Sequence, residues 1–267
     1  MRLDMRASAL ATLLLCASLA GCFGGDDDGP TEYAGPIDLI VYYDETSGTI
    51  QQDFQNGQNQ PTSADVEMTF DFGSTTSAKG EITSIYLIPG DGGDMVTQNP
   101  SDGAELSYTY GTHGLFNVTL GAVDDEGNEH MIYVSIRIDM TIVWTDDNTA
   151  QSSMTFEVTP DTEDHIPLAE SIMYRSTVEN PGGNVIFGGG NSDVTWSLKN
   201  GDDAEVDSQS GTINDGGTET MESTTRAIVA GTWTLEVVAD GDNVNVDNEI
   251  MIHYLEGSES AKNPRPA

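Results

Sequence analysis

The chain has 267 residues, of which 45 are Asp or Glu and 9 are Lys or Arg, so its formal net charge is −36. Affinity for nucleic-acid phosphates comes largely from Lys and Arg, and this charge therefore argues against a nucleic-acid partner. Anionic lipid headgroups would repel the same surface. Hydrophobic residues make up 37% of the chain, which is more than an acidic disordered protein carries. The length and composition therefore predict one or two packed domains.

The N-terminal segment predicts export and lipid attachment. Arg2 and Arg6 precede an uncharged, mostly apolar run at 7–20. This run is shorter than the roughly 20 apolar residues of a membrane-spanning helix and fits a secretory signal. It ends in the motif Leu-Ala-Gly-Cys at 19–22, which resembles the lipobox of prokaryotic lipoproteins. The resemblance implies cleavage before Cys22 and a lipid on its thiol, so we expect an extracytoplasmic protein anchored to the cell membrane.

The segments around this cysteine fit the same prediction. Residues 1–21 are the predicted signal peptide, and residues 22–35 are a predicted flexible, acidic tether rich in Gly and Asp. The only other cysteine is Cys16, inside the signal peptide. The mature domains therefore have no disulfide, no Cys–Zn site and no cysteine nucleophile. No later stretch approaches 18 apolar residues, so the lipid is the only membrane anchor that we predict.

Apolar and polar residues alternate in short runs after the tether. A period of two with one apolar face is typical of half-buried strands. Clusters of Gly, Asn and Asp separate the runs about every ten residues, as in β-sandwiches. The clearest runs are 66–70, 116–120, 132–138 and 232–237.

This pattern predicts an all-β protein with two tandem β-sandwich domains. We place the first sandwich at 36–139 and the second at 140–256, because a strand-like stretch ends in a loop near 145–148. The polar segment 257–267 is predicted to be a disordered tail. In the second sandwich, the run Gly-Thr-Trp-Thr-Leu-Glu-Val at 231–237 resembles the closing strands of jelly-roll modules, which implies a jelly-roll-like fold.

Two blocks in the first predicted domain follow the spacing of a known family. The matching residues are Phe70, Asp71, Gly80, Ile82, Gly90, Asp91, Gly92, Thr109, Tyr110, Gly114, Phe116, Val118, Leu120, Asp124 and Gly127. With this spacing, residues 66–138 resemble the polycystic-kidney-disease (PKD) domain, an immunoglobulin-like β-sandwich. The resemblance implies an extracellular spacer or interaction module. The chain departs from the family at Leu87, where the family has Trp, and at Ser77 and Lys79, where it has acidic residues.

Acidic turns supply the candidate metal ligands. Calcium binds six to eight oxygen ligands, and neighbouring loops of a sandwich can provide them. Asp91 and Asp94 lie in one predicted turn, and Asp124, Asp125 and Glu126 lie in another. We predict that these two turns together bind calcium, the one cofactor that the sequence suggests. The alternative is a solvated acidic surface, since no run has the spacing of a helix–loop–helix calcium site.

No catalytic motif is present. The four histidines are isolated in the sequence, and no nucleophile elbow, P-loop lysine motif or dinucleotide fingerprint occurs. The sequence therefore predicts a protein that is not an enzyme.

One modification motif is present. Asn117-Val118-Thr119 is the only N-glycosylation sequon in the chain. The alternation of its strand places Asn117 on the polar, exposed face, so we predict it as a glycosylation site.

Three functions are consistent with these features. The first is a non-catalytic, lipid-anchored binding or adhesion protein with a protein or glycan ligand at the cell surface. The second is an accessory subunit that docks substrates or partners for a secreted enzyme or transport complex. The third is a hydrolase with an unrecognised carboxylate site. The acidic residues are spread along both predicted domains, which favours a solubility or salt adaptation over one dedicated acidic site.

Overall fold

The computed structural model describes four stretches of the chain, residues 35–55, 61–158, 169–182 and 190–266. These residues form an all-β protein, as the alternation predicts. The signal peptide, Cys22 and the tether before residue 35 lie outside the described residues. Within the described stretches the helical structure is a single 3-10 turn at Pro100–Asp102, and no helix there is long and apolar enough to cross a membrane.

The described residues contain seventeen strands. They are β1 (Ile37–Asp38), β2 (Ser47–Gln55), β3 (Thr62–Ala64), β4 (Val66–Asp71), β5 (Thr76–Ser77), β6 (Ile82–Ile88), β7 (Val96–Gln98), β8 (Glu105–Tyr110), β9 (Gly114–Asp124), β10 (Glu129–Thr149), β11 (Gln151–Glu157), β12 (Ser171–Glu179), β13 (Ser192–Lys199), β14 (Glu205–Ile213), β15 (Thr218–Thr225), β16 (Thr232–Gly241) and β17 (Val244–His253).

One large sheet runs through the molecule. It has nine strands, in the order β15-β12-β17-β10-β9-β6-β7, with β2 paired to β10 and β3 paired to β2. The pair β4-β8 packs on one part of it, where the ring of Tyr110 stacks on Phe116 with the centroids 5.0 Å apart. The four-stranded sheet β11-β16-β13-β14 packs on the other part, where the Trp196 indole N–H donates to Ser176 Oγ at 2.9 Å. The result is two sandwich layers that share one sheet.

Strand β10 joins the two layers. Its residues 129–138 pair with β9, and its residues 140–149 pair with β17. The predicted boundary between residues 139 and 140 therefore falls inside a continuous strand, and no linker separates the two sandwiches. We refer to residues 35–139 as the first half and to residues 140–266 as the second half.

The predicted alternation is observed in the burial of the strands. Met68 and Phe70 are buried, whereas Glu67 and Thr69 between them are exposed. The same pattern places Trp233, Leu235 and Val237 in the core of the second half. Burial of apolar area contributes about 25 cal/mol per Å², so each strand is held with its apolar face inward.

The C-terminal segment differs from the predicted disordered tail. Residues 258–265, which we call the C-terminal strap, cross back to the first half. Ser260 N–H donates to the Ser135 carbonyl at 2.9 Å, and Asn263 exchanges two backbone hydrogen bonds with Tyr43 at 2.9 and 3.0 Å. The backbone groups of Ser135 and Tyr43 need hydrogen-bond partners, and the strap supplies these partners although its sequence is polar.

Candidate binding surface

The two predicted calcium turns do not meet. The turn at 91–94 follows the end of β6, and the turn at 124–126 follows the end of β9. These strands are antiparallel, so Ile82 at the start of β6 pairs with Asp124. β6 has seven residues, and at about 3.3 Å per residue its two ends are about 20 Å apart. The two turns therefore lie at opposite ends of the strand pair.

The Asp124 carboxylate stabilises the turn between β9 and β10. Its buried carboxylate accepts hydrogen bonds from Ser77 Oγ at 2.7 Å, from Asn128 N at 2.8 Å and from Glu126 N at 3.1 Å. Burial opposes its ionisation, but the hydrogen bonds from Ser77 and Asn128 outweigh that effect and lower its pKa. The oxygens that would bind a cation therefore already hold the turn together.

The other predicted ligands are also used locally or lie apart. Asp91 accepts from the Tyr108 hydroxyl at 2.9 Å, and burial together with this hydrogen bond raises the pKa of Tyr108 to about 12. Asp125 accepts a backbone N–H at 2.9 Å, and Asp94 and Glu126 are exposed. Within the described stretches no group of three or more His, Cys, Asp or Glu side chains is placed to hold a metal ion. The structure does not bring these five residues together as one site.

A different surface stands out in the first half. Outward side chains of β6, β9 and β10, with residues of and beside β7, line a shallow cavity of about 530 Å³. Tyr133 is 70% exposed, Met95 55% and Met131 44%. Contiguous exposed apolar side chains are uncommon on soluble proteins and mark interaction sites. We call this the Tyr133 surface; it is lined by Ser84, Tyr86, Ile88, Met95, Thr97, Thr119, Val123, Glu129, Met131 and Tyr133.

Strand register builds the Tyr133 surface in rows. Tyr86, Gly121 and Met131 are direct cross-strand partners and form one row. Directly paired side chains on one face lie about 5 Å apart, close enough to present one continuous surface. The next row along the strands consists of Ile88, Thr119 and Tyr133.

Gly121 shapes the floor of this surface. A Cβ atom at Gly121 would lie 2.2 Å from Cζ of Tyr86, so the absence of a side chain lets the tyrosine ring lie directly over the strand. The Tyr86 hydroxyl donates to Glu129 Oε1 at 2.7 Å. Burial and this hydrogen bond raise the pKa of Tyr86, so its phenol stays neutral at physiological pH. The floor is thereby fixed, and Tyr133 projects beside it.

Polar groups are interspersed with the apolar side chains. Ser84 and Thr97 share a hydrogen bond between their hydroxyl oxygens at 3.0 Å, and Thr119 adds a third hydroxyl. The Tyr133 hydroxyl donates weakly to the Met131 sulfur at 3.7 Å. None of the residues that line the cavity is Lys or Arg. The surface therefore offers an aromatic ring, apolar side chains and hydrogen-bonding oxygens, but no positive charge.

Asn117 occupies the row beyond Tyr133. It is exposed, as the alternation predicts, and it pairs with Ser135 on β10. The Ser135 hydroxyl donates to Asn117 Oδ1 at 3.2 Å.

His113 lies between the two halves. Its Nδ1 lies 3.0 Å from the Tyr254 hydroxyl and its Nε2 lies 3.0 Å from the Glu157 carbonyl. Burial lowers its pKa. The side chain is buried and both ring nitrogens are hydrogen-bonded, so His113 has a structural role in the contact between the halves.

The sequence contains a signal for the Tyr133 surface that the alternation alone did not reveal. The run at 85–88 is Ile-Tyr-Leu-Ile, which is apolar on both faces of β6. Ile85 and Leu87 fill the core, and Tyr86 and Ile88 are left for the outer face. A strand that is apolar on both faces leaves apolar side chains on the outer face of its sheet, and contiguous exposed apolar side chains mark interaction sites.

No family model matches the chain, and no curated protein matches it; the PKD resemblance at 66–138 therefore stays a prediction. Among solved structures, the chain is similar to a carbohydrate-binding module of the β-sandwich superfamily, with 12% identity, a TM-score of 0.29 and coverage of 82% of this chain and 98% of that chain. It is also similar to the Bacteroides ovatus protein SGBP-B in complex with a mixed-linkage heptasaccharide, with 13% identity, a TM-score of 0.18 and coverage of 77% and 51%. A Bacteroides uniformis β-glucuronidase gives 9% identity, a TM-score of 0.25 and coverage of 81% and 30%. At these values the similarity concerns β-sandwich architecture alone.

Proposed function

We propose that this protein is a non-catalytic, lipid-anchored binding protein of the cell surface, and that its Tyr133 surface binds neutral glycan chains. The observation that carries the proposal is the 70% exposed ring of Tyr133 beside exposed Met131, on a face that the strand register and Gly121 hold in place. The lipid anchor rests on the sequence around Cys22.

The chemistry of the Tyr133 surface fits a sugar. A pyranose ring has an apolar face of C–H groups and a rim of hydroxyls. An exposed tyrosine ring can stack against the apolar face. The hydroxyls of Ser84, Thr97 and Thr119 can donate to or accept from the rim, and the Glu129 carboxylate can accept from it.

The charge of the protein favours an uncharged ligand. Removal of residues 1–21 takes away Arg2, Arg6 and Asp4, which leaves 44 acidic and 7 basic side chains and a net charge of −37. Acidic sugars and phosphorylated ligands would approach against this field. Because no Lys or Arg lines the Tyr133 surface, nothing in it would offset the repulsion.

The same surface lacks the groups for glycoside cleavage. Hydrolysis uses two carboxyl groups, about 5 to 10 Å apart, on either side of the scissile bond. Glu129 is the one carboxylate among the residues that line the Tyr133 surface, and it accepts a hydrogen bond from the Tyr86 hydroxyl. This supports binding without turnover.

An array of neutral oligosaccharides tests the proposal. Wild type made in a host without N-glycosylation should bind at least one of them, and Y133A made in the same host should weaken that affinity at least tenfold, about 1.4 kcal/mol. The matched control is V238A, which truncates an exposed apolar residue on β16. Equal binding by wild type and Y133A would contradict the assignment of the surface. Capture of a protein partner with no glycan bound would contradict the ligand class, and breakdown of the bound glycan would contradict the non-catalytic function.

A further inference from the structure

The glycosylation sequon and the Tyr133 surface share one face of the sheet. Asn117 and Thr119 are two residues apart on β9, so their side chains point to the same side. Thr119 pairs with Tyr133 on β10, and Asn117 pairs with Ser135. The sequon acceptor is therefore one row, about 7 Å, from the exposed tyrosine.

The side chain of Asn117 is accessible to modification. It is exposed, and its Oδ1 accepts the hydrogen bond from Ser135. Within the described residues its Nδ2 makes no hydrogen bond that would compete for it. In N-glycosylation this nitrogen attacks the anomeric carbon of a lipid-linked sugar phosphate. The carbon–oxygen bond breaks, the phosphate leaves with the electron pair, and the amide loses one proton to the transferase.

The neighbourhood of Asn117 is closed on one side. The next outward residue on β10 is Arg137, whose Nε donates to Glu259 Oε2 of the C-terminal strap at 3.0 Å. Ser260 of the strap pairs with Ser135, beside the acceptor. On the other side lie Thr119 and Tyr133, and there the surface is open. A glycan on Asn117 thus has the Tyr133 surface as its neighbouring open face.

We propose that Asn117 carries an N-linked glycan that lies over the Tyr133 surface and competes with external glycans for it. This inference rests on the proposed function, because it concerns the availability of the same surface. A tethered sugar has a millimolar effective concentration, so it can compete with a free ligand of modest affinity. Glycosylation would then decide whether the surface is open or covered.

The test uses full-length protein made in a host that carries out N-glycosylation. The intact mass of wild type should exceed that of N117Q by one glycan, beyond the difference due to the substitution itself. N117Q should bind the neutral oligosaccharide at least tenfold more tightly than glycosylated wild type. Enzymatic removal of the glycan from wild type should raise its affinity to that of N117Q. The control is N117Q/D247T, which moves the sequon to Asn245 on the second half and should bind like N117Q.

Two results would overturn the inference: no glycan mass on wild type, or glycosylated wild type that binds as tightly as N117Q. Methionine-methyl NMR separates this inference from the proposed function. Removal of the glycan should shift the Met95 and Met131 signals even without a ligand. If those signals shift while N117Q binds no neutral glycan, the inference about coverage stands and the proposed ligand class fails.

Discussion

The outer face of the nine-stranded sheet has two regions with the same backbone and different surfaces. In the first half, β10 presents Met131 and Tyr133, which are 44% and 70% exposed. In the second half, the outer face carries an ion pair of Arg175 with Glu222 at 3.1 Å and a hydrogen bond between Thr177 and Thr220 at 3.1 Å. The second region also has an exposed apolar side chain, Met173, at 36%, but it lies on a face with ion pairs and hydrogen bonds, whereas the first region gathers several more exposed apolar side chains around Tyr133. The difference shows that the apolar character of the Tyr133 surface comes from the side chains that a common fold carries, not from the fold itself.

A partly buried polar cluster lies between the two regions. Arg137 is paired with Asp139 and Glu259, and the backbone N–H of Tyr254 donates to Asp139 Oδ1 at 3.0 Å. Burial opposes the charge of Arg137, but the two carboxylates outweigh it and raise its pKa. The cluster fixes the C-terminal strap between the Tyr133 surface and the outer face of the second half.

The largest expected effect tests whether the two halves, which differ in their surfaces, also unfold independently of each other. Trp196 is fully buried in the second half, so W196A should lower the free energy of unfolding by about 3–5 kcal/mol. Because β10 belongs to both halves, we expect one cooperative transition. Fluorescence of Trp144 and Trp233 would follow the second half, and hydrogen exchange of β9 would follow the first. Unchanged protection of β9 in W196A would mean that the halves unfold independently. The control is V238A, at an exposed position, whose free energy of unfolding should stay within about 0.5 kcal/mol of wild type.

A smaller effect is expected at the turn that closes the first half. D124A leaves the donors of Ser77 and Asn128 without their acceptor, and we expect the Tm to fall by at least about 2–4 °C. E126A removes an exposed carboxylate of the same turn and should leave the Tm nearly unchanged. Scanning calorimetry measures both.

Calorimetry of wild type with millimolar calcium at constant ionic strength completes this comparison. No rise in Tm is expected, because the Asp124 oxygens are already hydrogen-bonded and the 91–94 turn lies at the other end of β6. A calcium-dependent rise in the Tm of wild type that is absent in D124A would show that calcium does bind at the Asp124 turn.

The smallest effect concerns the contact between the halves at His113. Its folded pKa lies below the usual value of about 6.5, because burial disfavours the charged form. Below about pH 6.5 the unfolded chain takes up a proton that the folded chain resists, so this contribution to stability is full above that pH and declines as the pH falls. The Tm of wild type should therefore fall more between pH 7 and pH 5 than that of H113Q. Equal slopes would show that His113 does not titrate with unfolding.

Local features of the fold follow from the sequence. The runs at 66–70 and 116–120 predict strands with the correct buried face, because side-chain alternation depends on neighbouring residues alone. The continuity of β10 also has a local sign, since no Gly or Pro interrupts residues 130–144. The outward position of Asn117 follows from the same alternation.

Features that depend on distant pairing do not follow from the sequence. The separation of Asp91 from Asp124 is set by the antiparallel register of β6 and β9. The C-terminal strap is held by backbone hydrogen bonds to Ser135 and Tyr43, which are far from it in the sequence. In the sequence, Gly121 is a residue that would weaken a strand. The structure explains why glycine is present there, because the Tyr86 ring lies where a side chain at 121 would be. Alternation predicts that Tyr133 points outward but not that apolar neighbours from two other strands surround it.

Methionine-methyl NMR during titration with a neutral oligosaccharide tests the central claim most directly, because the molecule carries probes on both regions. Met95 and Met131 belong to the Tyr133 surface, whereas Met173 and Met251 lie on β12 and β17 of the second half. With N117Q, which leaves the surface uncovered, the signals of Met95 and Met131 should shift in proportion to saturation while those of Met173 and Met251 stay fixed. Shifts confined to Met173 and Met251, or no shift at any methionine with a glycan that binds, would contradict the assignment of the Tyr133 surface.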